Sequence, residues 1–409
     1  MHNPCVRNCK ALYCYAAATM RSANIALVLS GGGARGAYQI GVLLAVVRIL
    51  KRAGALHADA PAAPFSIYSG TSAGAINAAA LACRTDDFDA ALNLLAQLWR
   101  NLHVHDVYRS DVLAMAGGGA RWMSAIGFGW MLRRSLRAKP RALLDNAPLA
   151  HLLARTVDVA RVGRMIDAGQ LRALAVGASS YSSGAHATFY QASREIEPWH
   201  RSERMAIPTP IEIGHLMASS SIPFVFPAQL LKRRGQEEWF GDGSMRQTAP
   251  LSPAIHLGAT KMLVIGAGRA QEPQPLVNAP RYPSLATVAG HAMASIFLDT
   301  LSADVERLER VNRTLGLLTQ QQRETLALRI VQPLVIAPSE RLDDIAVRHA
   351  KSLPRTVRAM LRALGADDAS GGGLTSYLLF EPAFTRELIA LGEADAAARS
   401  DAIRTFFEI

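Results

Sequence analysis

The stretch Phe65-Ser66-Ile67-Tyr68-Ser69-Gly70-Thr71-Ser72-Ala73-Gly74-Ala75-Ile76-Asn77-Ala78-Ala79-Ala80-Leu81-Ala82-Cys83 decides the fold. Phe65 to Tyr68 reads as a short strand, and Ala75 to Cys83 as a helix of small residues that can lie close against a sheet. Between them, Gly70-Thr71-Ser72-Ala73-Gly74 is a Gly-x-Ser-x-Gly motif. A serine on a sharp strand-to-helix turn needs small neighbours two residues to either side, because the backbone folds tightly there. The turn lifts Oγ out of the sheet and sets it at a helix N-terminus, where negative charge is stabilised. Two glycines around a serine also arise by chance in a chain with 31 glycines. The strand before the motif and the helix after it supply the context that chance does not.

The same order recurs upstream. Ile25-Ala26-Leu27-Val28-Leu29 is a continuous apolar run, as expected of a strand buried on both faces of a parallel sheet. Ser30 to Gly36 is a glycine-rich turn, and Ala37 to Lys51 reads as an Ile-, Val- and Leu-rich helix. Repetition of strand, turn and helix predicts an α/β fold: three layers, α/β/α, around a mainly parallel central sheet. Further strands are expected at 173–178, 187–191, 238–240, 262–265 and 330–336. Met293 to Leu315 has the spacing of one long amphipathic helix, with Met293, Phe297, Leu301, Leu308, Val311 and Leu315 on its apolar face. Gln271 to Pro283 is Pro-rich and reads as a linker, and the chain beyond Pro338 reads as helical, interrupted at Gly371-Gly372-Gly373. The expected organisation is a tail over 1–23, a catalytic domain over 24–270, and a linker with a mostly helical extension over 271–409.

Gly31-Gly32-Gly33-Ala34-Arg35-Gly36 admits two readings. Successive glycines let several backbone N–H groups converge on an oxyanion or a phosphate. Gly31, Gly33 and Gly36 also satisfy the Gly-x-Gly-x-x-Gly pattern of dinucleotide-binding folds. That second reading needs an acidic residue ending the next strand, whereas this strand runs into Tyr68-Ser69-Gly70 and Asp59 lies in the loop before it. Arg35 offers either its N–H and charge to a bound group or a structural pairing with a nearby carboxylate. Downstream, Gly241-Asp242-Gly243-Ser244 follows the strand-like Glu238-Trp239-Phe240; taken alone, an Asp between glycines at a strand end is an ordinary turn.

Taken in order, these motifs resemble a family. Gly-Gly-Gly-x-Arg-Gly, then Gly-x-Ser-x-Gly, then Asp-Gly ahead of Pro250, Pro253-Ala254 and Leu257-Gly258-Ala259 is similar to the patatin-like phospholipases. Asp145-Asn146-Ala147-Pro148-Leu149 and Ala218-Ser219-Ser220-Ser221-Ile222-Pro223-Phe224-Val225-Phe226-Pro227 agree with it, so the resemblance covers about 25–266. It implies a lipid acyl-ester hydrolase, of phospholipase A, lysophospholipase or lipase type, with Ser72 as nucleophile and Asp242 as its base. It further implies an oxyanion loop formed by Gly31, Gly32, Gly33, Arg35 and Gly36, tight turns at Gly70, Gly74 and Gly243, a lipid substrate, and neither metal nor cofactor. Where the family often has Asp-Gly-Gly or Asp-Gly-Ala, this chain has Asp-Gly-Ser, and Ser244 is still small. The rivals are a triad completed by His256, His291 or His349, a non-catalytic lipid-binding protein on the same fold, and the dinucleotide-binding protein.

Composition bounds the partners. Half of the 409 residues are hydrophobic, which excludes global disorder, and the net charge is +11. No zinc-finger spacing or aromatic RNA-binding segment accompanies the charge, so a membrane surface is favoured over nucleic acid. Val112 to Leu144 has no acidic residue and interleaves Arg121, Arg133, Arg134 and Arg137 with Trp122 and Trp130. That is the character of an interfacial element, and equally of a solvated Arg face over the core. Cys5, Cys9, Cys14 and Cys83 make neither a disulfide framework nor a zinc pair. The N-terminal stretch is a poor secretory signal, Met20 is a plausible start, and no uninterrupted apolar run reaches the ~18 residues of a membrane span. A cytoplasmic protein, peripheral at most to the inner membrane face, is the expectation.

Overall fold

The computed structural model describes residues 24–56, 63–110, 142–193, 196–233, 235–268, 285–295, 300–326, 328–363 and 372–409. The N-terminal tail, the Pro-rich linker and nearly all of the basic, Trp-containing segment, including Arg121, Trp122, Trp130, Arg133, Arg134 and Arg137, lie outside these residues.

Ten strands form one mixed sheet: β1 (Ile25–Leu29), β2 (Ile67–Thr71), β3 (Ala173–Ser180), β4 (His186–Ala192), β5 (His200–Arg201), β6 (Arg204–Pro208), β7 (Gln229–Arg233), β8 (Gln236–Asp242), β9 (Lys261–Ile265) and β10 (Gln332–Ile336). The order is β10-β9-β1-β2-β3-β4-β6-β5, with β8 pairing β3 and β7. From β10 to β3 every pairing is parallel, and every residue of β1, β2 and β3 is buried, as their short or apolar side chains require. Helix α1 (Gly36–Arg52), α2 (Ala73–Ala82), α3 (Phe88–Arg100), α4 (Ala147–Thr156) and α5 (Ile213–Ser219) belong with the core on one face, which includes Leu43, Leu81, Leu92, Leu153 and Leu216. The other face is covered through Leu251, Leu257 and Leu308. This is the three-layer arrangement expected from the strand-turn-helix repeat.

The register sets the site. Leu29 pairs Gly70 and Ile265, Thr71 pairs Gly177, and Ala178 pairs Asp242. The turn after β1, the turn after β2 and the end of β8 therefore meet along one edge of the sheet.

The C-terminal helices pack directly on α1. A Cβ on Gly41 would lie 1.9 Å from the Ile389 carbonyl oxygen, and one on Gly392 2.3 Å from that of Tyr38, so α1 and helix Pro382–Ala398 touch backbone to backbone. Together with the 3-10 turn before it, α1 is long and apolar enough to cross a membrane, but 89% of its most apolar window is buried inside the protein.

Of the single helix expected over 293–315, Leu285–Ala294 and Thr300–Gly316 bracket a helical course on either side of 296–299, which lie outside the described residues. Of the expected Gly371-Gly372-Gly373 interruption, Gly372 and Gly373 instead begin helix Gly372–Leu378. A Cβ on Gly372 would meet the Asp343 carbonyl oxygen at 2.7 Å, so glycine there permits close helix packing.

Candidate active site

Ser72 caps α2 with φ 55° and ψ −129°, a left-handed conformation that costs a β-carbon-bearing residue about 1–3 kcal/mol and marks a built turn. The flanking glycines explain how the turn closes. A Cβ on Gly70 would lie 2.3 Å from the Gly74 carbonyl oxygen, and one on Gly74 2.3 Å from that of Leu29. The Ser72 N–H donates to Ser219 Oγ at 2.8 Å, and that hydroxyl donates to the Gly177 carbonyl at 2.6 Å. Ser219 thus ties the elbow to β3, a role that nothing in its local sequence announces.

Asp242 is fully buried at the end of β8, and its turn is held against β3: a Cβ on Gly243 would lie 2.3 Å from the Gly177 carbonyl oxygen. The Asp242 N–H donates to the Ser221 carbonyl at 3.0 Å, and Oδ1 accepts from the Ser244 N–H at 2.9 Å. Oδ2 is buried and makes no hydrogen bond of ordinary geometry among the described residues. Burial raises this carboxyl to about 6, opposed by the Ser244 N–H and by the nearby hydroxyls of Ser72 and Ser244. The structure therefore brings Ser72 of the second motif and Asp242 of the third together.

The glycine loop stands beside them. Gly33 has φ 56°, and a Cβ there would sit 2.4 Å from the Tyr377 carbonyl oxygen. Gly36 lies against Ala73 and Trp99. The Arg35 N–H is engaged by the Gly32 carbonyl at 3.1 Å, so this donor is already committed within the turn. The Arg35 side chain points away from the serine: it pairs with Asp343, donates to Ser376 Oγ at 2.6 Å, and lies 4.1 Å from the centroid of the Tyr377 ring. Of the two readings of Arg35, this geometry matches the structural pairing rather than contact with a bound oxyanion.

A buried polar chain joins the two turns. Trp99 Nε1 donates to Asn77 Oδ1 at 2.9 Å, Asn77 Nδ2 donates to Gln39 Oε1 at 2.9 Å and to the Gly36 carbonyl at 3.2 Å, and Gln39 Nε2 donates to the Ser30 carbonyl at 2.8 Å. Sequence reading missed Asn77, Gln39 and Ser219, because a polar residue in an apolar helix shows no partner until the chain is folded. A cavity of about 870 Å³, counted to its open mouth, is lined by Gly33 and Ser72 among others and walled mainly by apolar side chains. Its polar lining includes Ser220, whose buried hydroxyl has no partner among the described residues.

The histidines lie elsewhere. His256 stacks on Trp199 at 4.7 Å, His349 pairs with Glu387, and His291 is exposed on helix Leu285–Ala294. A fourth, His186, contacts the Asp242 turn through the Gly243 carbonyl, and burial lowers it to about 4, so it is neutral near pH 7. Asp86, Asp87 and Asp89 act at the start of α3: Asp87 accepts from the Ala90 N–H, while Asp86 pairs with Arg161 and Asp89 with Lys51. Among the described residues no cluster of three or more His, Cys, Asp or Glu is arranged to hold a metal ion.

A family model for patatin-like phospholipases matches residues 27–255, a span that runs from the first strand through both turns to beyond Asp242. The chain belongs to the patatin-like phospholipases. Solved structures also match the chain at low similarity. Human GIVD cytosolic phospholipase A2 is 11% identical with a TM-score of 0.44, covering 98% of this chain and 63% of that one. The same human enzyme in complex with methyl gamma-linolenyl fluorophosphonate is 13% identical with a TM-score of 0.39, covering 95% and 60%. VipD from Legionella pneumophila is 14% identical with a TM-score of 0.31, covering 90% and 67%. The chain thus spans less than two thirds of the length of the human structures. No curated protein matches the sequence. Membership in the patatin-like phospholipases makes lipid hydrolysis the family activity, and the elbow, the Asp-Gly turn and the apolar cavity all fall within, or open from, the matched region.

Proposed function

We propose that the protein is a lipid acyl-ester hydrolase that uses Ser72 and Asp242 as a catalytic dyad through an acyl-enzyme. The observation that carries this reading is the strained Ser72 in the lining of an apolar cavity, beside a buried carboxylate with one oxygen unpartnered. Asp242 Oδ2 takes the Ser72 proton as Oγ bonds to the ester carbonyl carbon, whose oxygen becomes the oxyanion. The N–H groups of Gly32 and Gly33 are the loop's donors for that charge, each worth roughly 3–4 kcal/mol in comparable hydrolases. Collapse breaks the bond to the leaving alcohol, which receives the proton from Asp242. Water then attacks the acyl carbon, Asp242 takes its proton, and Ser72 leaves with that proton restored.

A carboxyl near 6 is ionised for most molecules at pH 7, yet basic enough to accept a proton. Contact with a bilayer is peripheral in this reading, through the basic and Trp-containing segment around Arg133, Arg134 and Arg137.

The test is labelling with a fluorophosphonate followed by peptide mass spectrometry, together with assay of Ser72→Ala on phospholipid vesicles and p-nitrophenyl butyrate. The adduct is expected on Ser72, with hydrolysis abolished in the variant. An adduct on another residue, or full activity in Ser72→Ala, would sink the assignment; an inert wild type that still binds lipid would favour the non-catalytic lipid-binding alternative.

A further inference from the structure

The cavity has a direction that the catalytic residues do not explain. Its lining includes Ser72 at the N-cap of α2, Ile76 and Ala80 on α2, and Arg84 two residues past its end, at intervals of four. Ile76 and Ala80 lie one turn apart on one face of the helix, with Ser72 and Arg84 flanking its two ends. From α3, which packs on α2, Ala91 and Leu95 line the same space. Asn77 lies off this face and is occupied in the polar chain to Gln39 and Trp99, so one face of α2 holds the turns and another floors the cavity.

From Ser72 to Arg84 is twelve residues, or roughly 15–18 Å at about 1.5 Å per residue. The hydrocarbon core of a bilayer is about 30 Å thick for two chains end to end, so one membrane-lipid acyl chain extends for about 15 Å. The two lengths match. The side chains of this lining grade from Ile76 through the small Ala80 to the exposed, charged Arg84. Ala91, a second small residue, lines the cavity from α3. A long chain therefore passes Ile76, fills the space left by the two alanines, and ends where Arg84 returns the cavity to water.

Resting on the acyl-hydrolase reading, we infer that α2 is a chain-length ruler: the site takes acyl chains of membrane-lipid length, and Ala80 with Ala91 determines that selection. An indole at position 80 would fill the distal space and leave room only for chains that stop near Ile76. Each buried methylene is worth about 0.8 kcal/mol, so excluding even a few carbons is measurable.

The experiment uses the full chain. Wild type, Ala80→Trp and Ala91→Phe are assayed on p-nitrophenyl butyrate, octanoate and palmitate in mixed micelles. Wild type is expected to prefer palmitate, and each variant to lower the palmitate-to-butyrate ratio of kcat/KM at least tenfold. Ala91→Phe reaches the same space from the other helix, so misfolding of one variant leaves the other decisive. In parallel, palmitate binding by calorimetry is compared between Ser72→Ala and Ser72→Ala with Ala80→Trp, with at least tenfold weaker binding expected in the latter. If wild type hydrolyses no ester but Ala80→Trp still blocks palmitate, the catalytic reading fails and the ruler stands. If wild type hydrolyses the esters and neither folded variant changes the chain-length profile, the ruler is overturned.

Discussion

Two glycine-rich turns stand side by side at the ends of β1 and β2, and they are built in different ways. The elbow of Gly70 to Gly74 closes largely on its near neighbours: Gly70 packs on Gly74, and Gly74 packs on Leu29 of the adjoining strand. The loop of Gly31 to Gly36 leans on residues more than three hundred positions away. Gly33 fits beneath the Tyr377 carbonyl, and Arg35 is held by Asp343 and Ser376. One turn presents a side chain in a strained conformation, while the other keeps a side chain out of the way of its backbone. A local signature can therefore specify the first, whereas the second depends on the C-terminal helices being in place.

The largest expected effect tests whether the elbow is as local as this contrast implies. Ser72→Gly and Ser72→Ala should both abolish hydrolysis, yet Ser72→Gly should be the more stable by about 1 kcal/mol, because glycine adopts φ 55° without strain. Urea unfolding of the two variants measures this. Equal stability would mean that the conformation at Ser72 is not a source of strain.

Asp242→Asn should lower kcat by about a thousandfold or more, whereas His256→Ala, His291→Ala and His349→Ala should retain most of it. Loss of several orders of magnitude in a folded histidine variant would overturn the dyad. For wild type, kcat/KM should fall as pH drops through about 6, where Asp242 becomes protonated. Stability should move the other way. Burial raises the folded carboxyl from its ordinary value of 3.8 to about 6, so its contribution is fully present below about 4 and is lost as pH rises through 6. Asp242→Asn removes that ionisation and should be more stable than wild type at pH 8, by about 1–3 kcal/mol. Thermal melts at pH 5 and pH 8 check the sign.

On the loop, Gly33→Ala places a methyl against the Tyr377 carbonyl at a positive φ and should lower kcat about a hundredfold, with a smaller change in KM. An unchanged kcat would separate the loop from the oxyanion. The smallest effect belongs to the distant support: Arg35→Met should cost about 1–3 kcal/mol of stability and roughly tenfold in kcat, acting through the position of Gly33. If its kcat fell as far as that of Ser72→Ala, Arg35 would have to meet the substrate itself.

Much of this was legible beforehand for a physical reason. β1 and β2 are short apolar runs ending in glycine turns, and strands buried on both faces carry that pattern in any context. The Gly-x-Ser-x-Gly elbow is specified by sterics between residues two apart. The role of Gly372 was misread because a glycine run in a sequence does not show where a glycine serves a close helix contact.

What the sequence by itself determined is the α/β class and the family, and it singled out Ser72 and Asp242 as the proposed pair, since each rests on spacing along the chain. What only the tertiary structure decided is everything that depends on two distant segments sharing a space. The Asp242 turn reaches the elbow because β8 pairs with β3, and Ser219 holds the Ser72 N–H because α5 crosses their end. Arg35 turns toward Asp343, and Asn77 finds Trp99 and Gln39, through the same kind of contact. A buried polar group must find a partner or bear the cost of desolvation, and which partner it finds is settled by packing across the fold, not by neighbours in sequence.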